Sequence, residues 1–353
     1  MAKRITWIIN DITQVGGIER VVCNLSNFFI ANDISIKIVS LNTSTGKPAF
    51  DLSSKVHIEH LDYPFEAILD RKRLKLVLAD FLRKENQQSD IIITCHPWIA
   101  MPILQQKSLY RGQIFCTEHS TWESYSKLRR ILNSYYYKRA DQFIVLTEHA
   151  KQIYQKHGVK NPTVIPNIIT DYPKTLAPLS QKELVAAGRL IPIKGYDRLI
   201  EAIALIKDVF SPWHLTIYGD GEEHDRLVDL IHQNHLEELV AIQHFTDQLQ
   251  QKLHACSGYI LSSHSEAFPM VALEALKEGL PIVSFDIPSL REIDQNTNTI
   301  IFAEQGNIAD LAAKIKRYIS SDDRQKRGKA SRKLADNYSL EKVGQKWLSL
   351  IDV

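Results

Sequence analysis

Residues 258–276 read Gly-Tyr-Ile-Leu-Ser-Ser-His-Ser-Glu-Ala-Phe-Pro-Met-Val-Ala-Leu-Glu-Ala-Leu. A short apolar run, a polar loop and a helix-forming apolar run follow one another, the pattern of a β-strand handing over to a helix. Proline is tolerated at a helix start, so Pro269 is expected to open the helix and leave free the N–H groups of Met270 and Val271. Free N–H groups and the helix macrodipole together make an anion site. Glu266 lies on the loop before that site and Glu274 about one turn inside the helix. The spacing suits a ligand with a phosphate in its middle and hydroxyl groups at each end. Carboxylates also gather at helix starts simply because they complement the dipole, so this pair needs support from the rest of the chain.

Working outward, β-rich runs alternate with amphipathic helical patterns. Strands are expected at 5–9, 35–41, 91–95, 113–117 and 142–146, then at 183–187, 214–218, 240–244, 258–262, 281–285 and 299–302. Helical periodicity marks 19–31, 72–84, 196–208, 222–234 and 306–319. The alternation predicts an α/β protein with parallel sheets covered by helices. Eleven strands exceed one ordinary sheet, so two domains are expected. Residues 169–182, with prolines at 173 and 178 and no sustained periodicity, read as a linker between domains 1–168 and 183–337, with a helix at 338–353. Ligands of such sheets bind at the carboxyl ends of the strands.

A chain of 353 residues is long for one core, and its 44% apolar and 24% charged residues are those of a globular protein. The net charge of +2 gives no global attraction for nucleic acid. Cys23, Cys95, Cys116 and Cys256 are scattered without a CxxC pair, a pattern of reduced thiols and not of disulfides or a metal site. No apolar run is long enough to span a bilayer, and Ile5-Thr6-Trp7-Ile8-Ile9 reads as a strand and not a leader. A cytoplasmic protein is expected.

Three loops compete to hold a phosphate. After the first strand, Gly16-Gly17 precedes a helix and allows close backbone approach, although a plain tight turn would look the same. After strand 183–187, Gly188-Arg189-Leu190-Ile191-Pro192-Ile193-Lys194-Gly195 sets two cations on a short loop. Arg189 offers forked donors and Lys194 a compact ammonium, which suits a diphosphate. The third loop, Gly219-Asp220-Gly221-Glu222-Glu223, is too acidic for a pyrophosphate and lacks the third glycine of a dinucleotide fingerprint. With no Asp-x-Asp and no His/Cys cluster at ligand spacing, the diphosphate charge falls to Arg189, Lys194 and the helix start near Met270.

These elements, with Glu118-His119-Ser120 and Val164-Ile165-Pro166-Asn167, resemble the retaining family 4 glycosyltransferases with the GT-B fold over nearly the whole chain. The likeness is greatest to bacterial enzymes that build surface polysaccharides such as capsule and lipopolysaccharide, or lipid-linked glycans, from UDP-sugars. It implies two facing Rossmann-like α/β/α domains with a cleft between them, the first for the acceptor and the second for the nucleotide-sugar, and a C-terminal helix returning to the first. It implies that Arg189 and Lys194 bind the donor diphosphate and stabilise it as it leaves, that Glu266 holds donor-sugar hydroxyls, and that the donor-binding segment Phe268, Pro269, Met270 and Val271 offers backbone N–H groups nearby. Glu274 would take the ribose hydroxyls, His244 and Phe245 the base, Gly16 and Gly17 the closing phosphate contact, and His119 the donor sugar near the reacting carbon. His96, at the end of the preceding strand, is its rival. The resemblance implies no protein nucleophile, no metal and no cofactor beyond the UDP-sugar substrate. Two departures touch the donor sugar: Ala267 stands where relatives often have glycine, and Ser289-Leu290 where many have Gly-Pro. The alternatives are a GT-B nucleotide-sugar epimerase or phosphorylase, and a nucleotide-sugar-binding module without turnover.

Two further stretches join positive charge to apolar or aromatic residues. Residues 71–84 carry six cations and one acid, and residues 124–140 carry Lys127, Arg129, Arg130, Lys138 and Arg139 with Tyr125, Tyr135, Tyr136 and Tyr137 and no acid. Such segments suit peripheral contact with an anionic membrane, here the inner face of the plasma membrane. A solvated helix face whose long side chains cover the core is the plain alternative.

Overall fold

The structure is a computed structural model and describes residues 3–42, 46–61, 63 and 70–352. Its contacts divide the chain into one unit of Met1–Thr170 with Leu340–Val353 and a second of Asp171–Ser339.

The first unit runs β1 (Arg4–Ile9), α1 (Gly17–Ala31), β2 (Ser35–Ser40), β3 (His57–His60), α2 (Arg71–Glu85), β4 (Ile91–Thr94), α3 (Pro97–Gln105), β5 (Gln113–Glu118), α4 (Lys127–Tyr137), β6 (Gln142–Val145), α5 (Glu148–Lys156) and β7 (Thr163–Val164). Every strand pairing is parallel, in the order β3-β2-β1-β4-β5-β6-β7. The central strands are apolar nearly end to end, as a sheet buried on both faces requires. Ile5, Trp7 and Ile9 face one core and Ile8 the other, the period-two alternation of a strand.

The second unit runs β8 (Glu183–Ala187), α6 (Tyr196–Ala204), α7 (Lys207–Phe210), β9 (His214–Tyr218), α8 (His224–Gln233), β10 (Val240–Gln243), α9 (Leu249–Ala255), β11 (Gly258–Leu261), α10 (Met270–Glu278), β12 (Ile282–Phe285), α11 (Pro288–Asp294), β13 (Ile301–Ala303), α12 (Ile308–Ile319) and α13 (Arg324–Ala335). Its sheet is also parallel, in the order β10-β9-β8-β11-β12-β13. The last helix, α14 (Leu340–Ile351), belongs to the first unit. There Trp347 meets Trp7 and Phe29 edge-on at 5.8 and 6.3 Å, and Lys3 donates to the Ile351 carbonyl.

The described residues form thirteen strands against the eleven expected. The two extra, β3 and β7, are edge strands of four and two residues, too short for an alternating pattern to register. The expected helix 196–208 is broken: Ile206 N–H bonds the Ile203 carbonyl at 3.0 Å, a three-residue turn that separates α6 from α7.

Candidate functional site

In the second sheet the strand order reverses between β8 and β11, so the loops after these two strands flank a topological switch point. The loops are laced together. His264 N–H donates to the Ile193 carbonyl at 2.8 Å, and Ser262 Oγ to the Lys194 carbonyl at 2.9 Å. Gly195 turns the chain at φ 62°, where a Cβ would lie 2.4 Å from the Ser262 carbonyl oxygen, so only glycine fits. This stitching brings Lys194 Nζ to 2.7 Å from Glu266 Oε1, which also accepts from Ser263 Oγ at 2.6 Å. Glu266 Oε2 has no partner among the described residues. Arg189, on the same loop, is exposed, and its guanidinium meets no partner among the described residues.

Beyond this pair the chain enters α10. Pro269 is not the first helical residue, as expected, but the N-cap, because its ψ of 84° lies outside the helical region; the helix begins at Met270. No side chain caps it, so the first amides of Met270 and Val271 lack a cap. Phe268 anchors the turn by packing edge-on against Tyr338 at 5.6 Å. Glu274 is buried.

The acidic third loop has a structural task. Gly219 lies so close to the β8 loop that a Cβ would sit 1.9 Å from the Gly188 carbonyl oxygen. Leu190 N–H donates to the Asp220 carbonyl at 2.8 Å, which fixes the backbone beside Arg189. The Asp220 carboxylate then turns outward to His244 Nδ1 at 2.6 Å and the Phe245 N–H at 3.1 Å, and these bonds hold its pKa below the usual range. His244 and Phe245 are both largely exposed, with His244 parallel to His224 at 5.9 Å. The sequence pattern marks Asp220 only as a charge hostile to phosphate; its role as a tether for residues 244 and 245 is a property of the fold.

The first sheet reverses between β1 and β4. Gly16 caps α1 in extended conformation and Gly17 is its first residue. The Glu19 carboxylate folds back over them, its Oε2 2.2 Å from where a Gly16 Cβ would stand. Burial raises the Glu19 pKa, opposed by a bond from its own backbone N–H. Nothing in the Gly16-Gly17 spacing points to this acid as the group that fills the helix start.

His96 follows β4, and His119 follows the neighbouring β5. His119 Nε2 lies 2.9 Å from Thr117 Oγ1, and burial, with His96 alongside, pushes its pKa down to about 3. Burial pushes His96 down to about 4. Both rings are therefore neutral at pH 7, able to hydrogen-bond but not to offer positive charge. Glu118, the last residue of β5, is buried. Its Oε1 accepts from Tyr125 Oη and the Ser120 N–H, both at 2.9 Å, and its Oε2 from Tyr137 Oη at 3.1 Å and Tyr154 Oη at 3.0 Å. Burial raises its pKa against these bonds. The three tyrosines are scattered in sequence, so only the fold reveals that they pin the start of the His119 loop.

A histidine whose folded pKa is depressed contributes stability that is whole above the unfolded value and is lost as pH falls towards the folded value. For His119 that window runs from 6.5 down to about 3, and for His96 from 6.5 down to about 4. Each ring contributes at most about 1.4 kcal/mol per pH unit. His119→Gln should therefore show a shallower fall of Tm than the parent between about pH 7 and about pH 5. Parallel thermal melts check this; equal slopes would refute the assignment.

Residues 15–171 match the family described as Glycosyltransferase Family 4, and residues 168–334 match Glycosyl transferases group 1. An uncharacterized glycosyltransferase of Haemophilus influenzae is 27% identical over 99% of this chain and 100% of its own. The amylovoran biosynthesis glycosyltransferase AmsD of Erwinia amylovora is 25% identical over 98% of each. Among solved structures, a mutant of Staphylococcus aureus TarM in complex with fondaparinux, α-GlcNAc-glycerol and UDP superposes with a TM-score of 0.83 at 17% identity over 100% of both chains, a likeness of fold. Two parallel α/β units in this order make the GT-B architecture, and the two matches together run from residue 15 to residue 334. The chain belongs to the glycosyltransferases, with a family 4 domain followed by a group 1 domain.

Proposed function

We propose that the protein transfers a sugar from a UDP-sugar to a hydroxyl of a glycan or lipid-linked acceptor in bacterial surface polysaccharide synthesis, with retention of anomeric configuration. The observation that carries this reading is the grouping at the β8/β11 switch point. There Arg189, whose guanidinium has no partner among the described residues, shares its loop with Lys194, Lys194 touches Glu266, and the uncapped start of α10 follows. Two cations and a helix start suit a diphosphate, and a carboxylate with a spare oxygen suits sugar hydroxyls. The exposed, Asp220-tethered pair His244 and Phe245 suits a base. AmsD, by its name, acts in amylovoran biosynthesis, and TarM was solved with UDP; both support the choice of pathway and donor.

Among the described residues no three His, Cys, Asp or Glu side chains converge on a metal-binding arrangement. In this reading Arg189, Lys194 and the α10 amides balance the departing diphosphate, and turnover does not depend on a divalent ion. The acceptor attacks from the face the leaving group departs, and the leaving phosphate takes its proton. Neutral His119 hydrogen-bonds the donor sugar. The basic segments 71–84 and 124–140 bring the enzyme to an anionic membrane; no described helix is long and apolar enough to cross one.

Thermal-shift screening across UDP-, GDP- and ADP-sugars, followed by NMR of the product, tests the proposal. A Tm rise with UDP-sugars, a product of the donor's own anomeric configuration and turnover that survives a chelator are expected. Tight binding without turnover would make the chain a binding module, and an inverted product or loss of turnover to the chelator would overturn the mechanism.

A further inference from the structure

Helix α4 buries polar side chains beside an aromatic one and leaves apolar side chains facing outward. Its buried face carries Tyr137, stacked on Phe143, together with Asn133 and Ser134, 2% and 4% exposed, and among the described residues neither the Asn133 amide atoms nor Ser134 Oγ finds a hydrogen-bond partner. Its outward face carries Leu128, Ile131 and Tyr135, at 67%, 65% and 51% exposure. Their spacing of three and four puts them in one stripe. Single exposed apolar residues are ordinary, but a stripe of them over an unsatisfied polar interior is not. On α2, Leu76 is also exposed, at 72%, next in sequence to a cavity-lining Lys75.

Between α2, α3 and α4 lies a cavity of about 360 Å³. Leu74, Trp98 and Met101 give it an apolar lining, and Arg71, Lys75 and Arg129 add positive charge. Lys72, Arg73, Lys127, Arg130 and Lys138 surround the same helices. A two-fold contact of this face with itself would bring like charge against like, which disfavours such a dimer. An anionic partner with an apolar interior fits both features.

We propose that this face docks on an anionic lipid bilayer. Leu76, Leu128 and Ile131 enter the headgroup region, and the cavity draws in one lipid. Its phosphate sits among Arg71, Lys75 and Arg129, and its first methylenes lie against Leu74, Trp98 and Met101. The inference rests on the membrane contact proposed above and deepens it, from two basic segments to one apolar stripe and one lipid seat. The outward apolar stripe of α4 is accounted for once it meets lipid.

The test uses the full chain with vesicles of phosphatidylcholine, alone or mixed with phosphatidylglycerol, some made with brominated acyl chains that quench nearby tryptophan. Cosedimentation with the mixed vesicles only, weakened by salt, is expected. Ile131→Asp should weaken it roughly tenfold or more at unchanged Tm, since the residue is exposed. Trp98→Phe should remove most of the bromine quenching. No binding by the parent, or equal binding to both vesicles, would overturn this inference together with the membrane contact. Selective binding that is indifferent to Ile131→Asp and quenched alike in Trp98→Phe would overturn the docking face alone. Capture of acidic proteins without vesicle binding would also overturn it.

Discussion

Arg189→Ala is expected to lower kcat for sugar transfer roughly 10²–10³-fold while leaving Tm within about a degree, the change usual for a surface substitution. The two effects separate because of how the loop is built. Its backbone is held by bonds that do not involve the guanidinium: Gly188 N–H to the Tyr218 carbonyl at 3.0 Å and Leu190 N–H to the Asp220 carbonyl at 2.8 Å. The guanidinium itself is exposed and meets no partner among the described residues, so its removal opens no cavity and strands no buried charge. On the proposed function, what it removes is positive charge where the leaving diphosphate gathers negative charge, an interaction that strengthens in the transition state and therefore appears in kcat more than in KM. Arg189→Lys should recover only part of the loss, because an ammonium cannot reproduce the forked donors. Steady-state kinetics with the donor varied, beside thermal melts, decides the matter. Parent-like kcat in Arg189→Ala would remove this residue from the chemistry.

The β8 loop also illustrates what a sequence can carry. Gly188, Arg189, Lys194 and Gly195 were legible as a cationic turn because glycine and proline fix a loop's shape locally. That Lys194 is engaged by Glu266 was not, since the two are 72 residues apart and meet only because β8 and β11 are neighbours in the sheet. The same holds for the Glu118 cage, assembled from tyrosines at 125, 137 and 154. Strand identity was legible wherever a strand is central, because burial on both faces demands apolar residues at every position. It failed at β3, whose His57-Ile58-Glu59-His60 is half exposed. Residues 124–140 read as a basic stretch with aromatics, but which side of α4 faces outward was not legible, since packing against α3 and not propensity sets that.

Glu266→Ala is expected to lower turnover roughly 10²-fold and yet to leave the affinity for UDP unchanged or slightly tighter. Opposite signs follow from the pair it belongs to. Oε1 is committed to Lys194 Nζ at 2.7 Å and Ser263 Oγ at 2.6 Å, which orient the carboxylate and leave Oε2 to accept from a sugar hydroxyl. Loss of a charged acceptor costs about 1.5–3 kcal/mol where the hydroxyl would otherwise go unpaired. UDP lacks the transferred sugar and its hydroxyls, so its binding feels only the other consequence: Lys194, freed from its counter-ion, presents its full charge to the phosphates. The side chains of Lys194 and Glu266 are 22% and 13% exposed, so water reaches the ammonium once the carboxylate is gone, and the fold tolerates the change. Lys194→Ala should behave in the reverse sense, weakening UDP itself. Calorimetry with UDP beside turnover measurements on both variants reads the two signs independently. If Glu266→Ala weakens UDP as much as Lys194→Ala does, the carboxylate serves the diphosphate loop and not the sugar, and the division of labour within the pair is wrong.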